Sequence, residues 1–190
     1  GLVERAIVRV VTPGTVIEPG LLDQSTNNFL AAAVSDGVRA GLAYVDISTS
    51  EFVTGEFRVS DLRDELHRLN PSELIVDSTA KELFDPRRSS STVVRHLDES
   101  LLDFELSSAH LMEHFKASTL EAFGCSNMPL AVVAASAVLN FVGETQFGAI
   151  PQLTSLRTES INAYMRLDTK ALRDLEVFGS SIGKTDGHTL

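Results

Sequence analysis

Two short stretches of this chain carry residue types at spacings that could do chemistry. His110-Leu-Met-Glu113-His114 has the HxxEH order of an inverted zinc peptidase, and on a helix two histidines four apart share a face and could share a metal. A peptidase also needs a third ligand from elsewhere and an open cleft, and the sequence places neither. The preferred reading is an amphipathic helix carrying two ordinary histidines, with no metal. Gly179-Ser-Ser-Ile-Gly-Lys-Thr185 looks like a phosphate-binding loop, but the spacing GxxxxGK[ST] is short by a residue, since only three residues separate Gly179 from Gly183. Such a loop must also leave a buried strand and open a helix whose positive end faces the anion. This one follows an amphipathic segment, so it reads as a polar loop and no ATP site is expected in it. His67, His96 and His188 are isolated and read as surface residues, and Arg87-Arg88 in FDPRRSSST reads as a solvated Pro/Ser loop.

Positioning elements follow from the apolar pattern. AIVRVV is β-rich, and in VTPGT Pro13-Gly14 suits the two central positions of a type II turn, as in a linker entering a domain. Residues 27 to 34, 41 to 48 and 51 to 59 read as three strands joined by short turns, an antiparallel meander. Ser60 or Asp61 is expected to cap a helix with Leu62, Leu66 and Leu69 on one face, which Pro71 ends before the strand ELIVD at 73 to 77. A helix crossing to a strand implies a parallel or mixed addition to the sheet. Residues 78 to 84 read as a short helix and 92 to 96 as a strand.

From residue 106 the pattern becomes helical. Leu111, Met112 and Phe115 share a face of a helix ending at 115; Ser118 and Glu121 form a capping-box pattern, and Gly124 ends that short turn. Pro129 suits the first turn of a long helix over 130 to 146, apolar around most of its circumference and so buried on more than one side. After a loop around Pro151, Ile161, Ala163, Met165 and Leu167 alternate as in a strand. Asp168 then caps a helix with Leu172, Leu175 and Phe178 on one stripe. That helix lacks a partner in the sequence, as expected for a segment of a longer protein.

Three antiparallel strands followed by helix and strand are also the start of a ribonuclease H-like fold, whose nucleases hold two magnesium ions with several carboxylates beginning at an aspartate on an early strand. Asp46 stands there, in AYVDIST. Asp77 ends another strand, Glu51 and Glu56 lie in the hairpin, and no carboxylate cluster is evident. A strand-end aspartate that bonds to its own turn is the preferred reading.

Bulk properties exclude other classes. A formal net charge of −10 over 190 residues leaves few cations to displace counterions from a phosphate backbone, so any role on DNA is indirect. The single cysteine, Cys125, allows no internal disulfide and fits a reducing compartment. No apolar run approaches the roughly 18 residues of a membrane span, and the first residues lack a signal peptide's order. A cytoplasmic protein is expected.

The segments RVVTPGT, NNFLAAA, YVDISTSEF, LNPSELIV, LEAFG, AVLNFVGETQ and LDTKALRDLE resemble, in order and spacing, the MutS family of DNA mismatch repair proteins over nearly the whole chain. The resemblance implies a linker from the mismatch-binding domain at 1 to 20, a connector domain at 21 to 162 and the truncated start of the core domain at 163 to 190. Its fold would be α/β: a ribonuclease H-like mixed sheet, an antiparallel meander followed by αβ units, with flanking helices. It would be no nuclease, although a divalent-metal nuclease with Asp46 as first ligand stands as the alternative function. The implied role is a relay between mismatch-binding and ATP-hydrolysing parts, with a docking surface for MutL. No cofactor is expected in this segment, ATP and magnesium belonging to the parent protein, and mismatched DNA is reached only through that parent. The segment is expected to be monomeric, the parent dimeric, and the location the bacterial cytoplasm. Two positions depart from the family pattern: Ser50 where glycine is expected in the turn, and Asp174 where asparagine is expected.

A docking surface needs exposed side chains on a rigid element. If Leu111, Met112 and Phe115 are buried, 100 degrees per residue turns Ala109, His110 and Glu113 to solvent, and these three are the candidate docking residues. The hairpin from Ser48 to Ser50 is the next candidate.

Overall fold

The computed structural model describes residues 12 to 15, 28 to 83, 91 to 145 and 152 to 159, all within the compact unit Gly1–Glu159. The expected strand AIVRVV, the loop at Arg87 and Arg88, the strand from Ile161, the helix after Asp168, the loop GSSIGKT and His188 lie outside the described residues.

Strands β1 (Leu30–Ser35), β2 (Arg39–Asp46) and β3 (Glu51–Arg58) form the expected meander, paired antiparallel from Leu30 opposite Val45 and from Asp46 opposite Glu51. Helix α1 (Val59–Leu69) crosses to β4 (Glu73–Val76), which lies parallel to β1. Helix α2 (Ser78–Leu83) leads toward β5 (Val93–His96), parallel to β4. A third helix, α3 (Phe104–Phe115), and a fourth, α4 (Pro129–Thr145), precede β6 (Arg157–Glu159), parallel to β3. The strand order is β5-β4-β1-β2-β3-β6, a mixed sheet.

Both faces of the sheet are covered, which is why β1 is an unbroken buried run rather than an alternating one. Ala32, Val34, Ala43, Val45 and Ile75 join α4 residues Val132, Ala135, Val138 and Leu139 in one buried cluster that includes Leu111 of α3. Helices α1 and α2 pack on the sheet as well, burying Leu62, Leu66 and Leu69 as the spacing predicts. Helix α4 approaches β2 so closely that a Cβ on Gly41 would lie 2.1 Å from the carbonyl carbon of Leu130. Two further contacts fix that approach: Leu130 N–H donates to Glu56 Oε2 at 3.1 Å, and Thr54 Oγ1 donates to the Ala131 carbonyl at 2.8 Å.

Several local expectations are corrected. Pro13–Thr15 is a 3-10 turn, not a type II turn, and Gly14 has no positive φ. Its missing side chain serves close packing instead, since a Cβ there would lie 2.9 Å from Glu73 Cβ. Neither Ser60 nor Asp61 caps α1; Arg58 is the N-cap without a side-chain bond, and Val59 N–H donates to the Val38 carbonyl at 3.1 Å. Ser60 and Asp61 bond to each other. Helix α3 starts two residues earlier than its apolar face suggests, because Asp103 Oδ1 accepts from Leu106 N–H at 2.8 Å. The turn Leu120–Phe123 has Thr119 at its N-cap without a side-chain bond, so the Ser118/Glu121 capping box is absent, while Gly124 ends it at φ 74°. Ser50, where the resemblance leads glycine to be expected, takes a left-handed conformation at φ 61°.

Candidate functional site

The strand-end acids do not converge. Leu30 is paired with both Val45 and Glu73, and Ala33 with Val76, so Asp46 lies beside the start of β1 and Asp77 beside its end. At roughly 3.3 Å per residue those ends are too far apart for one two-metal site. Each carboxylate already serves the backbone. Asp46 accepts from Asn28 N–H at 3.2 Å, and from Ser48 N–H at 2.9 Å and Ser48 Oγ at 2.6 Å. Asp77 accepts from Ser35 N–H and from the Thr79 and Ala80 N–H groups that open α2. Among the described residues, no group of three or more histidine, cysteine, aspartate or glutamate side chains is placed to hold a metal ion.

Nor do the two histidines of HxxEH face a common point. His110 Nδ1 lies 3.0 Å from Ser136 Oγ on α4, whereas His114 Nε2–H donates to the Leu153 carbonyl at 2.7 Å. The His114 ring stands edge-on to Phe115, with centroids 4.5 Å apart. That tautomer leaves Nε2 of His114 no lone pair for a metal.

The α3 face proposed for docking is partly as expected. Leu111 is fully buried, Met112 and Phe115 half-buried, and Ala109 and Glu113 exposed. His110 does not turn to solvent: it is half-buried and bonded to Ser136, and burial pushes its imidazole below the ordinary range. The expected face omitted a feature visible only across helices. His110 lines a cavity of about 200 Å³ between α3 and α4, with Ser107, Ser136 and Asn140 beside it and Leu101 and Leu106 at its apolar side. Leu106 is 68% exposed, so its side chain is available at the rim of this space.

The sequence reading missed a second site, whose one signal is a lone acid in an apolar strand. Glu73 has no solvent exposure. Its Oε2 accepts from Gly14 N–H at 3.1 Å, and its Oε1 accepts from Arg95 Nε on the neighbouring strand. The Arg95 guanidinium in turn lies 5.4 Å from the ring centroid of Phe141 on α4. One buried carboxylate therefore joins the segment entering the sheet, the strand at its edge and the helix across its face.

Comparison with known proteins agrees with this architecture. The family model described as MutS domain II matches residues 28 to 156. A DNA mismatch repair protein MutS of Dehalococcoides mccartyi is 42% identical over 185 residues, covering 97% of this chain and 21% of that protein. The protein of the same name from Synechococcus elongatus is 38% identical, covering 93% of this chain and 22% of its own length. That from Protochlamydia amoebophila is also 38% identical, over all of this chain and 23% of its own length. The chain thus spans about a fifth of the length of these relatives.

Proposed function

Since the chain belongs to the MutS family of DNA mismatch repair proteins and carries that family's domain II, we propose that it acts as a non-catalytic connector, relaying between mismatch-binding and ATP-hydrolysing parts and presenting a docking surface to MutL. The observation that carries the relay is the buried Glu73 carboxylate, which ties Gly14 directly to the sheet. A chain entering through such a bond moves with the domain instead of swinging on a loose linker. The sheet, a meander extended by parallel strands, supports a ribonuclease H-like assignment without the nuclease's carboxylates. Asp46 acts there as a turn-forming group. Mismatched DNA, ATP and magnesium belong to other parts of the parent, which we assign to the bacterial cytoplasm as a dimer.

For docking we retain Ala109 and Glu113, exposed on the rigid helix α3, with His110 supporting them from below. Ala109→Arg combined with Glu113→Lys adds bulk and reverses charge without touching the core. Recruitment of MutL by the mismatch-bound full-length protein should weaken by about tenfold or more, as loss of a central contact does. Unchanged recruitment by a variant that keeps its circular dichroism spectrum removes α3 from the docking surface, and the hairpin from Ser48 to Ser50 is tested next.

A further inference from the structure

The cavity between α3 and α4 is not a packing void. Empty native cavities are apolar, whereas this one has a polar floor. Ser107 is 3% exposed, and its hydroxyl makes no hydrogen bond among the described residues, a disfavoured state that a ligand group would relieve. Ser136 and His110 are bonded to each other, and both line the same space. At about 200 Å³ it lies below the roughly 300 Å³ at which small-molecule pockets begin, yet well above the roughly 30 Å³ of one water. That size suits one long side chain.

Charge selects which. Between Leu97 and His114 the chain carries Asp98, Glu99, Asp103, Glu105 and Glu113 and neither lysine nor arginine. Two of these carboxylates are fixed beside the cavity: Asp98 Oδ1 accepts from Ser100 N–H at 2.9 Å, and Asp103 Oδ1 from Leu106 N–H at 2.8 Å, and Ser100 and Leu106 both line it. Exposed Leu106 and half-buried Leu101 offer an apolar surface for a methylene stem, and hydroxyl and amide oxygens at the floor accept N–H donors.

We propose that this cavity receives a single basic side chain, arginine or lysine, of the protein that docks on α3, its stem along Leu101 and Leu106 and its head at Ser107 and Asn140. The proposal rests on the docking reading above and specifies the chemistry of the partner. Negative charge around the mouth steers the approaching cation, and the cavity fixes its register.

The test uses MutL recruitment by the mismatch-bound full-length protein. Ser107→Leu fills the cavity from its floor, and Asn140→Lys, at a half-buried position, places a cation inside it and serves where Ser107→Leu does not fold. Either should weaken recruitment about tenfold or more, the scale of a lost anchor contact. In a scan of MutL changing each surface arginine and lysine to glutamine, one substitution should weaken recruitment and be non-additive with Asn140→Lys. If both cavity variants recruit within about twofold of the parent, less than 1.4 kcal/mol would give, while Ala109→Arg with Glu113→Lys abolishes recruitment, the docking reading stands and the cavity is overturned as a receptor. If the helix-face variant is also silent, both readings fail. If filling the cavity weakens recruitment but no basic residue of MutL is coupled to it, a basic occupant is ruled out.

Discussion

The backbone N–H of Gly14 donates a hydrogen bond at 3.1 Å to the carboxylate of Glu73, 59 residues later in the chain, and a Cβ on Gly14 would lie only 2.9 Å from Glu73 Cβ. Truncating Glu73 leaves the Gly14 N–H unpaired and removes the acceptor of the Arg95 guanidinium. Breaking a fully buried ion pair costs about 3–5 kcal/mol, but Arg95 remains 43% exposed and can rehydrate, so about 2–3 kcal/mol is expected for Glu73→Ala. Glu73→Gln, which keeps the acceptor for Gly14, should cost about 1 kcal/mol. Thermal unfolding of the chain measures both. An alanine variant as stable as the parent would show that the carboxylate is not an anchor.

Asp46 is expected to behave as a turn residue. Asn28 and Ser48 occupy both its oxygens, so Asp46→Asn, which preserves one acceptor, should destabilise by about 1 kcal/mol. Adding manganese should leave the melting temperature of parent and variant alike unchanged. A manganese-dependent rise lost on Asp46→Asn would instead indicate a metal site.

The imidazole of His110 is held below its ordinary pKa of 6.5, first by burial and then by the charge of His114, against which Glu113 acts. The unfolded chain therefore binds a proton more readily than the folded one. This contribution to stability is fully present above pH 6.5 and is lost as the pH falls from there toward the lowered folded value. His110→Gln should flatten that part of the stability curve, measured by denaturant unfolding at several pH values. A slope unchanged by the substitution would assign the pH dependence to other groups.

The sheet was largely legible because its strands are short apolar runs between turn residues, and α4 because its helix is apolar nearly all round. The ordinary reading of Asp46 followed from its place at a strand end before Ser48. Capping was misread where the backbone itself supplied the partner, as Val38 does for α1. Strand β6 was missed because Arg157, Thr158 and Glu159 have no apolar alternation to read, their place being set by pairing with β3. Glu73 sits in an apolar strand as its lone acid, a signal that a buried charge must find a partner, but the partners are 59 and 22 residues away. The cavity depends on how two helices cross, and residue spacing within one helix does not encode that. His110 was placed on the solvent face for the same reason.

The central claim is that domain II transmits rather than reacts, and the Glu73 anchor tests it most directly. In the full-length protein, ATP turnover is measured with perfectly paired and with mismatched DNA for the parent and for Glu73→Gln and Glu73→Ala. Loosening the entering segment should leave turnover on paired DNA and the affinity for the mismatch within about twofold, while the mismatch-dependent change in turnover shrinks, more for alanine than for glutamine, a loss of coupling within the usual 1–3 kcal/mol. A Glu73→Ala protein that remains folded, and whose Gly14 amide exchanges freely with solvent, yet answers the mismatch as fully as the parent, would contradict the relay.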